Sequence, residues 1–180
     1  MNYLSTNTPC GCRRFAALLA ALAFVSLSYA GFVRAAEPSS QDRESSGVQV
    51  WINPGVYSYH FDRNAGYRND NVGLGAEVMV ARDHGFMAGS FINSDRERSR
   101  YAAYEWRPLH GTIDKVGVGG GIAFSAFDGY PRYHSGGWFV APLPVLSFEG
   151  RYLGLNLSAV PTIKDRLHGA LMFQLKLRVW

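Results

Sequence analysis

Two short runs of the sequence carry a base and a hydroxyl that could act together in proton transfer. His60 lies in Ser58-Tyr59-His60-Phe61, and Ser94 ends Phe91-Ile92-Asn93-Ser94. An imidazole titrates close to neutral pH, so it can remove the proton of a hydroxyl there. Each residue also has an ordinary interpretation, because a rim histidine can simply bond a loop and a serine beside Asp95 can simply close a turn. Their joint chemistry requires a fold that brings both to one rim.

The elements that would position these residues are strands, because apolar and polar residues alternate with a period of two. The last such segment alternates through the apolar residues Leu171, Phe173, Leu175, Leu177 and Val179. The sequence predicts eight strands, at residues 48–61, 72–81, 86–94, 98–107, 114–127, 137–149, 151–160 and 168–180. Most have about 9–11 residues or slightly more, the length of a tilted strand that crosses a bilayer.

These strands predict an all-β fold, an eight-stranded antiparallel transmembrane β-barrel of the outer-membrane type. A soluble β-sandwich would also alternate, with its aliphatic side chains turned toward a protein core. The barrel is favoured because the second face of the last strand carries Gln174, Lys176 and Arg178, as a polar lumen would. Aromatic residues near the predicted strand ends are typical of barrel girdles, namely Tyr57, Tyr59, Tyr104, Trp106, Trp138 and Trp180.

The predicted topology places the candidate residues at one end. An even-stranded barrel that begins and ends in the periplasm has odd-numbered strands running outward. His60 at the end of the first strand would then meet Asn93 and Ser94 at the end of the third, on the external rim. By alternation, Tyr59 and Phe61 face lipid and His60 faces the lumen.

The amino-terminal residues predict export. Arg13 and Arg14 precede an apolar run at 15–30, shorter than the ~20 residues of a spanning helix, and small residues follow it. We predict a cleaved signal peptide at 1–35, with cleavage after Ala30 as the alternative, a flexible lead-in at 36–47 and the barrel at 48–180. Both cysteines lie inside the signal, so the exported chain would have none. The predicted location is the outer membrane of the cell.

Charge and motif content narrow the classes of partner. Removal of the signal takes three of the 18 basic residues and none of the 14 acidic ones, which leaves a charge near +1 and argues against a nucleic-acid surface. Metal-ligand spacings, phosphate loops, dinucleotide fingerprints and the Gly-x-Ser-x-Gly elbow are missing from the sequence. We therefore predict a monomer without metal or cofactor whose partners are membrane lipids.

Pro142 and Pro144 are unusual inside a predicted strand, because each removes a ladder donor and both do so on the same side. Two interpretations stay open: the strand starts late, at Val145, or the barrel opens sideways there to admit a lipid chain. Arg63 and Arg68 lie on the predicted external side, where they would contact lipid phosphates or simply be solvated.

Several motifs together resemble the outer-membrane lipid A palmitoyltransferase (PagP) family. They occur in that family's order across residues 57–146: Tyr59-His60-Phe61, Tyr67 with Asn69-Asp70, Gly73-Leu74-Gly75, Phe91-Ile92-Asn93-Ser94, Tyr104-Glu105-Trp106-Arg107-Pro108-Leu109 and Val140-Ala141-Pro142-Leu143-Pro144-Val145-Leu146. The combination of the Trp-Arg-Pro-Leu and Pro-Leu-Pro-Val-Leu runs is the most specific feature.

The resemblance implies an eight-stranded barrel that moves a palmitoyl chain from a glycerophospholipid donor to a lipid A acceptor. The family's external histidine and Asp-Ser pair fall on His60 and on Asn93-Ser94, so an asparagine replaces the carboxylate. Either asparagine suffices, or Asp62 or Asp95 compensates, or the activity is altered. The family's amino-terminal amphipathic helix has no counterpart in the short polar segment 37–47, and its lateral lipid gate resembles the double-proline run.

The expected function is acyl transfer with His60 as general base and with Asn93 and Ser94 orienting the groups or stabilising the oxyanion. The predicted lipid-binding residues are Arg63, Tyr67, Arg68, Pro142 and Pro144. Acyl-length selectivity in the family depends on a small residue on the barrel floor, here Ala103 or a glycine of 117–121. A covalent acyl-Ser94 intermediate is the less favoured route. The alternative functions are a structural or adhesive barrel without activity and a lipid A deacylase.

Overall fold

The computed structural model describes residues 47–162 and 168–180, which form one closed antiparallel β-barrel. The predicted signal peptide and all but Gly47 of the predicted lead-in lie outside these residues. Among the residues described, no helix is long and apolar enough to cross a membrane. Each strand pairs with the next in sequence, and β8 closes the barrel on β1.

The strands have these bounds: β1 Gln49–His60, β2 Asp70–Met79, β3 His84–Ile92, β4 Arg98–Ile113, β5 Val116–Phe127, β6 Phe139–Glu149, β7 Leu153–Val160 and β8 Ala170–Arg178. A short 3-10 helix, His134–Gly136, lies in the β5–β6 connection. We call the end at which β1 finishes the upper rim and the opposite end, where β8 finishes, the lower end. All eight predicted strands and the eight-stranded antiparallel β-barrel are confirmed.

The predicted boundary of β4 was wrong. Residues 108–113 were predicted as a connection, but β4 continues to Ile113 and pairs with β5 down to Val116. A register shift between Trp106 and Leu109 accommodates Pro108, which cannot donate to a ladder. At this shift the Trp106 carbonyl approaches Gly121 so closely that a β-carbon would collide with it. A bulge opposite glycine lets the strand continue past the proline.

The distribution of polar and apolar side chains in the barrel is the reverse of that in a soluble protein. Large apolar side chains are exposed on its outer face, among them Tyr57, Tyr59, Val72, Leu74, Phe86, Trp106, Phe124, Val140, Leu171 and Leu175. Polar and charged side chains are buried inside, which a soluble sandwich would not do. A contiguous apolar exterior of this kind is compatible with an outer-membrane barrel.

A network of charged side chains fills the lower half of the lumen. Lys176 and Glu77 are both fully buried, and Lys176 Nζ lies 2.5 Å from Glu77 Oε1 and 2.7 Å from Glu149 Oε1. Arg107 Nη1 donates to the same Glu149 oxygen at 2.9 Å. Asn156 donates to the second oxygen of Glu77 at 2.7 Å. These bonds compensate the high cost of removing charges from water.

The seam between β6 and β7 is incomplete. The ladder runs only from Val145 opposite Ser158 to Glu149 opposite Gly154. Above it β6 continues upward to Phe139, paired only with β5 through both prolines. The Pro144 carbonyl accepts a hydrogen bond from Ser158 Oγ at 2.6 Å, so the side of Pro144 that lacks an N–H faces β7.

The two interpretations of the prolines can now be separated. The strand does not start late, because β6 includes both prolines. Its ladder with β7 does start at Val145, which leaves a lateral gap above that residue.

Replacing Lys176 by Met is expected to lower the free energy of unfolding by about 3–5 kcal/mol, because it removes the closest cation of buried Glu77 and leaves only Arg107 Nη2, 3.7 Å from the same oxygen. Urea unfolding followed by tryptophan fluorescence in lipid vesicles measures this change. The double variant Lys176→Met with Glu77→Gln removes the orphaned charge and should recover more than half of the loss. An unchanged unfolding midpoint in Lys176→Met would contradict the assigned role of the network.

Candidate functional site

A cavity of about 300 Å³ lies below the upper rim. Its wall is largely apolar and includes Phe127, Phe139, Leu143, Val160 and Met172. Its mouth is polar and is formed by His60, Tyr67, Ser94, Asp95, Arg132 and His168. A second cavity of about 70 Å³ lies deeper in the lumen and shares Phe127, Leu143 and Met172 with the first. An apolar chamber with a few convergent polar groups is the usual form of a small-ligand site.

His60 is buried at the last position of β1, opposite Ala170 of β8. Its inward direction was predicted from alternation and is confirmed, since Tyr59 and Phe61 on either side are exposed. His60 Nδ1 lies 3.1 Å from the side-chain oxygen of Asn69. An amide oxygen only accepts, so Nδ1 is the donor in this contact, and in the neutral imidazole Nε2 then keeps a lone pair. This tautomer is the one that a general base needs.

Tyr67 packs between two histidines at the mouth. Its ring stacks on His60 with centroids 4.9 Å apart and an interplanar angle of 26°, and its centroid lies 5.0 Å from that of His168. Arg132 Nη1 donates to the Tyr67 hydroxyl oxygen at 2.8 Å. His168 in turn lies 3.7 Å from a carboxylate oxygen of Asp62.

Ser94 follows β3 and lines the same cavity as His60, so the predicted meeting of the two at one rim is observed. The Ser94 carbonyl accepts from the Arg68 backbone N–H at 3.1 Å. This bond joins the turn after β3 to the connection that carries Tyr67 and Asn69.

Asn93 holds the turn from within. It is fully buried, and its Nδ2 donates to the Gly129 carbonyl at 2.7 Å and to Ser99 Oγ at 3.2 Å. Its Oδ1 accepts from the backbone N–H groups of Asp95 and Glu97 at 2.9 and 3.0 Å. Both amide hydrogens are therefore engaged. Of the two roles predicted for Asn93, this geometry favours orienting Ser94 over donating to an oxyanion.

The other predicted lipid-binding residues are divided between the cavity and its surroundings. Tyr67 and Pro142 line it, and Pro144 borders the lateral gap. The Arg63 guanidinium lies over the ring of Tyr59, 4.8 Å from its centroid, on the outer face. Arg68 Nε pairs with Asp70 at 3.1 Å on the exposed side of its connection.

The two carboxylates that could replace the missing acid have other neighbours. Asp62 faces His168, and Asp95 Oδ1 lies 3.8 Å from Arg132 Nε. The hydrogen-bond partner of His60 is instead the neutral amide of Asn69.

Sequence reasoning did not assign roles to Asn69, Arg132 and His168. Asn69 follows Tyr67 in a motif that was noted, but nothing local predicts that its amide reaches an imidazole nine residues earlier. Arg132 lies 65 residues from Tyr67 in the chain. Arg132 and His168 belong to loops at the rim, but their side chains line the mouth of the cavity. Their position there follows from the closure of the barrel, which the sequence alone does not show.

The connection after β5 is held over the cavity by Asp128. Arg100 donates to its carboxylate from the backbone N–H at 2.6 Å and from Nε at 2.7 Å. Burial alone would raise the pKa of Asp128, but these hydrogen bonds and the positive charge of Arg100 hold the pKa below its ordinary value of 3.8. The restraint is thus present at neutral pH and is lost as the pH falls through that lowered pKa. Burial raises the pKa of neighbouring Tyr130, which stays a neutral phenol.

Comparisons with known proteins leave the family open. The chain matches no family model and no curated protein. Membership of the lipid A palmitoyltransferase family therefore stays a prediction from the motifs. Within the part of the chain that the structure describes, no group of three or more His, Cys, Asp or Glu side chains is arranged to hold a metal ion.

Replacing Asn93 by Asp is expected to lower the free energy of unfolding by at least about 2 kcal/mol, because two buried acceptors lose their donors. Heat-dependent migration of the barrel on gels and urea unfolding measure the change. Glu97→Gln, which alters one charge in the same turn at an exposed side chain, is the matched control and should have little effect. An Asn93→Asp barrel as stable as the wild type would show that the amide does not hold the turn.

Proposed function

We propose that this protein is an outer-membrane acyltransferase that moves a long acyl chain from a glycerophospholipid to a hydroxyl of lipid A. The observation that carries the proposal is the cavity that places His60 and Ser94 together at the mouth of an apolar chamber. A filled structural barrel has no need of such a chamber. The choice of lipid A as acceptor and of a palmitoyl-bearing phospholipid as donor rests on the resemblance of the motifs to the palmitoyltransferase family.

The shape of the chamber fits a hydrocarbon chain. The upper cavity narrows into the deeper one, and the buried polar side chains of Glu105 and Asn156 lie at the wall of the latter. A chain inserted past Phe127 and Leu143 would stop where these polar groups begin, since burying methylenes against charges gains little. Ala103 lines this deeper cavity, and the glycines of 117–121 are not among its lining residues. Of the two predicted positions for a length-determining residue, Ala103 is the better placed.

The gap between β6 and β7 provides a route for that chain from the bilayer. Cavity-lining residues on both sides of the gap, Val140 to Pro142 and Val160 to Pro161, border it. An open ladder in hydrocarbon is costly unless the free backbone groups are missing or covered. The two prolines remove the N–H groups on the side that faces β7. Pro142 and Pro144 thus keep a lateral opening at low cost.

The proposed reaction uses the tautomer that Asn69 fixes. His60 Nε2 takes the proton of the lipid A hydroxyl while the hydroxyl oxygen attacks the carbonyl carbon of the donor ester. Collapse of the tetrahedral intermediate breaks the bond to the glycerol oxygen, and His60 returns the proton to it, so a lysophospholipid leaves. Ser94, held by Asn93, orients the reacting groups. Arg63 and Arg68 lie outside the cavity, where they would meet headgroup phosphates.

The test is the mass of lipid A from cells that express the wild-type gene, no gene, or the His60→Ala or Ser94→Ala variant. The expected result is lipid A heavier by one palmitoyl chain with the wild type, and a loss of that species with His60→Ala, since a general base contributes about 10²–10⁴-fold. Surface amounts of each barrel are the control. Lipid A lighter by one acyl chain would favour a deacylase, and an unchanged mass with a folded barrel would favour a structural or adhesive role.

A second test addresses the orienting amide. Asn69→Ala should reduce kcat by less than the removal of His60, because the base remains and only its tautomer and direction are released. Asn69→Asp should move the acid limb of the pH–rate profile to higher pH, because a carboxylate favours the charged imidazolium. Asn64→Asp adds the same charge to the same exposed connection and should leave the profile in place. A profile that moves equally in both variants would remove Asn69 from the mechanism.

A further inference from the structure

The proposed reaction creates a negative charge for which, of the residues assigned so far, only Ser94 offers a side-chain donor at the mouth. Attack on an ester carbonyl makes an oxyanion, and hydrogen-bond donors aimed at it commonly supply the largest part of the rate enhancement. Asn93 has both amide hydrogens engaged with Gly129 and Ser99. Asn69 faces His60 with its oxygen. A second donor at the mouth of the cavity would act beside the Ser94 hydroxyl.

The hydroxyl of Tyr67 has the geometry of such a donor. Its oxygen accepts a hydrogen bond from the guanidinium of Arg132 at 2.8 Å. Because that oxygen receives a charged donor, its own hydrogen is left to point to another acceptor, and the O–H bond becomes more polar. The ring stacks on His60, so the hydroxyl is carried on the same side chain that contacts the base.

Arg132 is placed to act through Tyr67. Its side chain is 66% exposed, one Nη donates to Tyr67, and its Nε lies toward Asp95 at 3.8 Å. The guanidinium also lies 5.5 Å from the centroid of the Tyr67 ring. An exposed cation stabilises a distant anion weakly because water screens it, whereas a phenol hydroxyl within hydrogen-bond distance acts on the anion directly.

We propose that Tyr67 is a catalytic residue whose hydroxyl donates to the oxyanion of the tetrahedral intermediate, and that Arg132 is its positioning residue. The inference rests on the proposed acyl transfer. In the step, the acceptor oxygen bonds to the carbonyl carbon, its proton passes to His60, and the carbonyl electron pair moves to oxygen, where it accepts from Tyr67 Oη. On collapse that pair reforms the carbonyl, the ester bond to glycerol breaks, and Tyr67 keeps its proton throughout.

The test is Tyr67→Phe, which keeps the ring on His60 and removes only the hydroxyl. Transfer from phosphatidylethanolamine to lipid A in detergent micelles is expected to show kcat reduced about 10²–10³-fold, the usual loss for one oxyanion donor, with KM little changed. Tyr57→Phe, which removes an outward-facing phenol from the same strand as His60, is the matched control. A Tyr67→Phe enzyme with wild-type kcat, beside an active wild type, overturns this inference alone. A wild type without transfer overturns it together with the proposed function.

The role of Arg132 is tested by a double-mutant cycle with Arg132→Gln, a change at an exposed side chain that leaves the barrel intact. If Arg132 acts through Tyr67, Arg132→Gln lowers kcat in the wild type and has no further effect in Tyr67→Phe. A neutral diacylglycerol donor should show the same pattern. Additive losses, or a loss that disappears with the donor that lacks phosphate, would mean that Arg132 binds the headgroup and would overturn its assignment as a positioning residue.

Discussion

The width of an eight-stranded barrel constrains every other feature of this protein. Such a lumen is only wide enough to be filled by side chains or to hold one slender ligand. In this barrel one half of the lumen is filled by side chains and the other half contains a cavity. The ion network around Lys176 and Glu77 fills the lower half, and the cavity occupies the upper half. In the proposed function, an acyl chain that enters would end at the buried polar groups, and the chemistry would take place at the upper rim.

The same constraint explains why the seam beside β6 is broken where it is. A complete ladder would seal the cavity from the side and leave only the polar mouth as a way in. An open ladder exposes backbone donors, which is costly in hydrocarbon. Pro142 and Pro144 allow an open ladder at low cost. Both residues stay paired with β5, and neither has a backbone N–H on the side that faces β7. The gap ends at Val145, at the level where the cavity becomes narrow.

The strands and the direction of their side chains were predictable, because both follow from local alternation, and the position of His60 in the lumen followed with them. The path of β4 past Pro108 was not, since it depends on Gly121 in another strand accepting a close carbonyl. The contacts at the mouth of the cavity also could not be predicted from the sequence. Arg132 and Tyr67 belong to different connections. The closure of the barrel, the bond from Asn93 to Gly129 and the bond from Arg68 to Ser94 bring those connections together.

In the proposed reaction, the residues that the structure describes place the amide of Asn69 rather than a carboxylate against His60, which changes how the charge of the transition state would be balanced. A neutral amide fixes the tautomer of the imidazole but does little for the positive charge that develops on it. The face of the Tyr67 ring, 4.9 Å away, can supply that stabilisation by a cation–π contact. The hydroxyl of the same ring is directed by Arg132 toward the opposite charge. The Tyr67 side chain would thus stabilise both the imidazolium of His60 and the oxyanion. In that arrangement the neutral amide of Asn69 would be enough to orient His60 without a carboxylate.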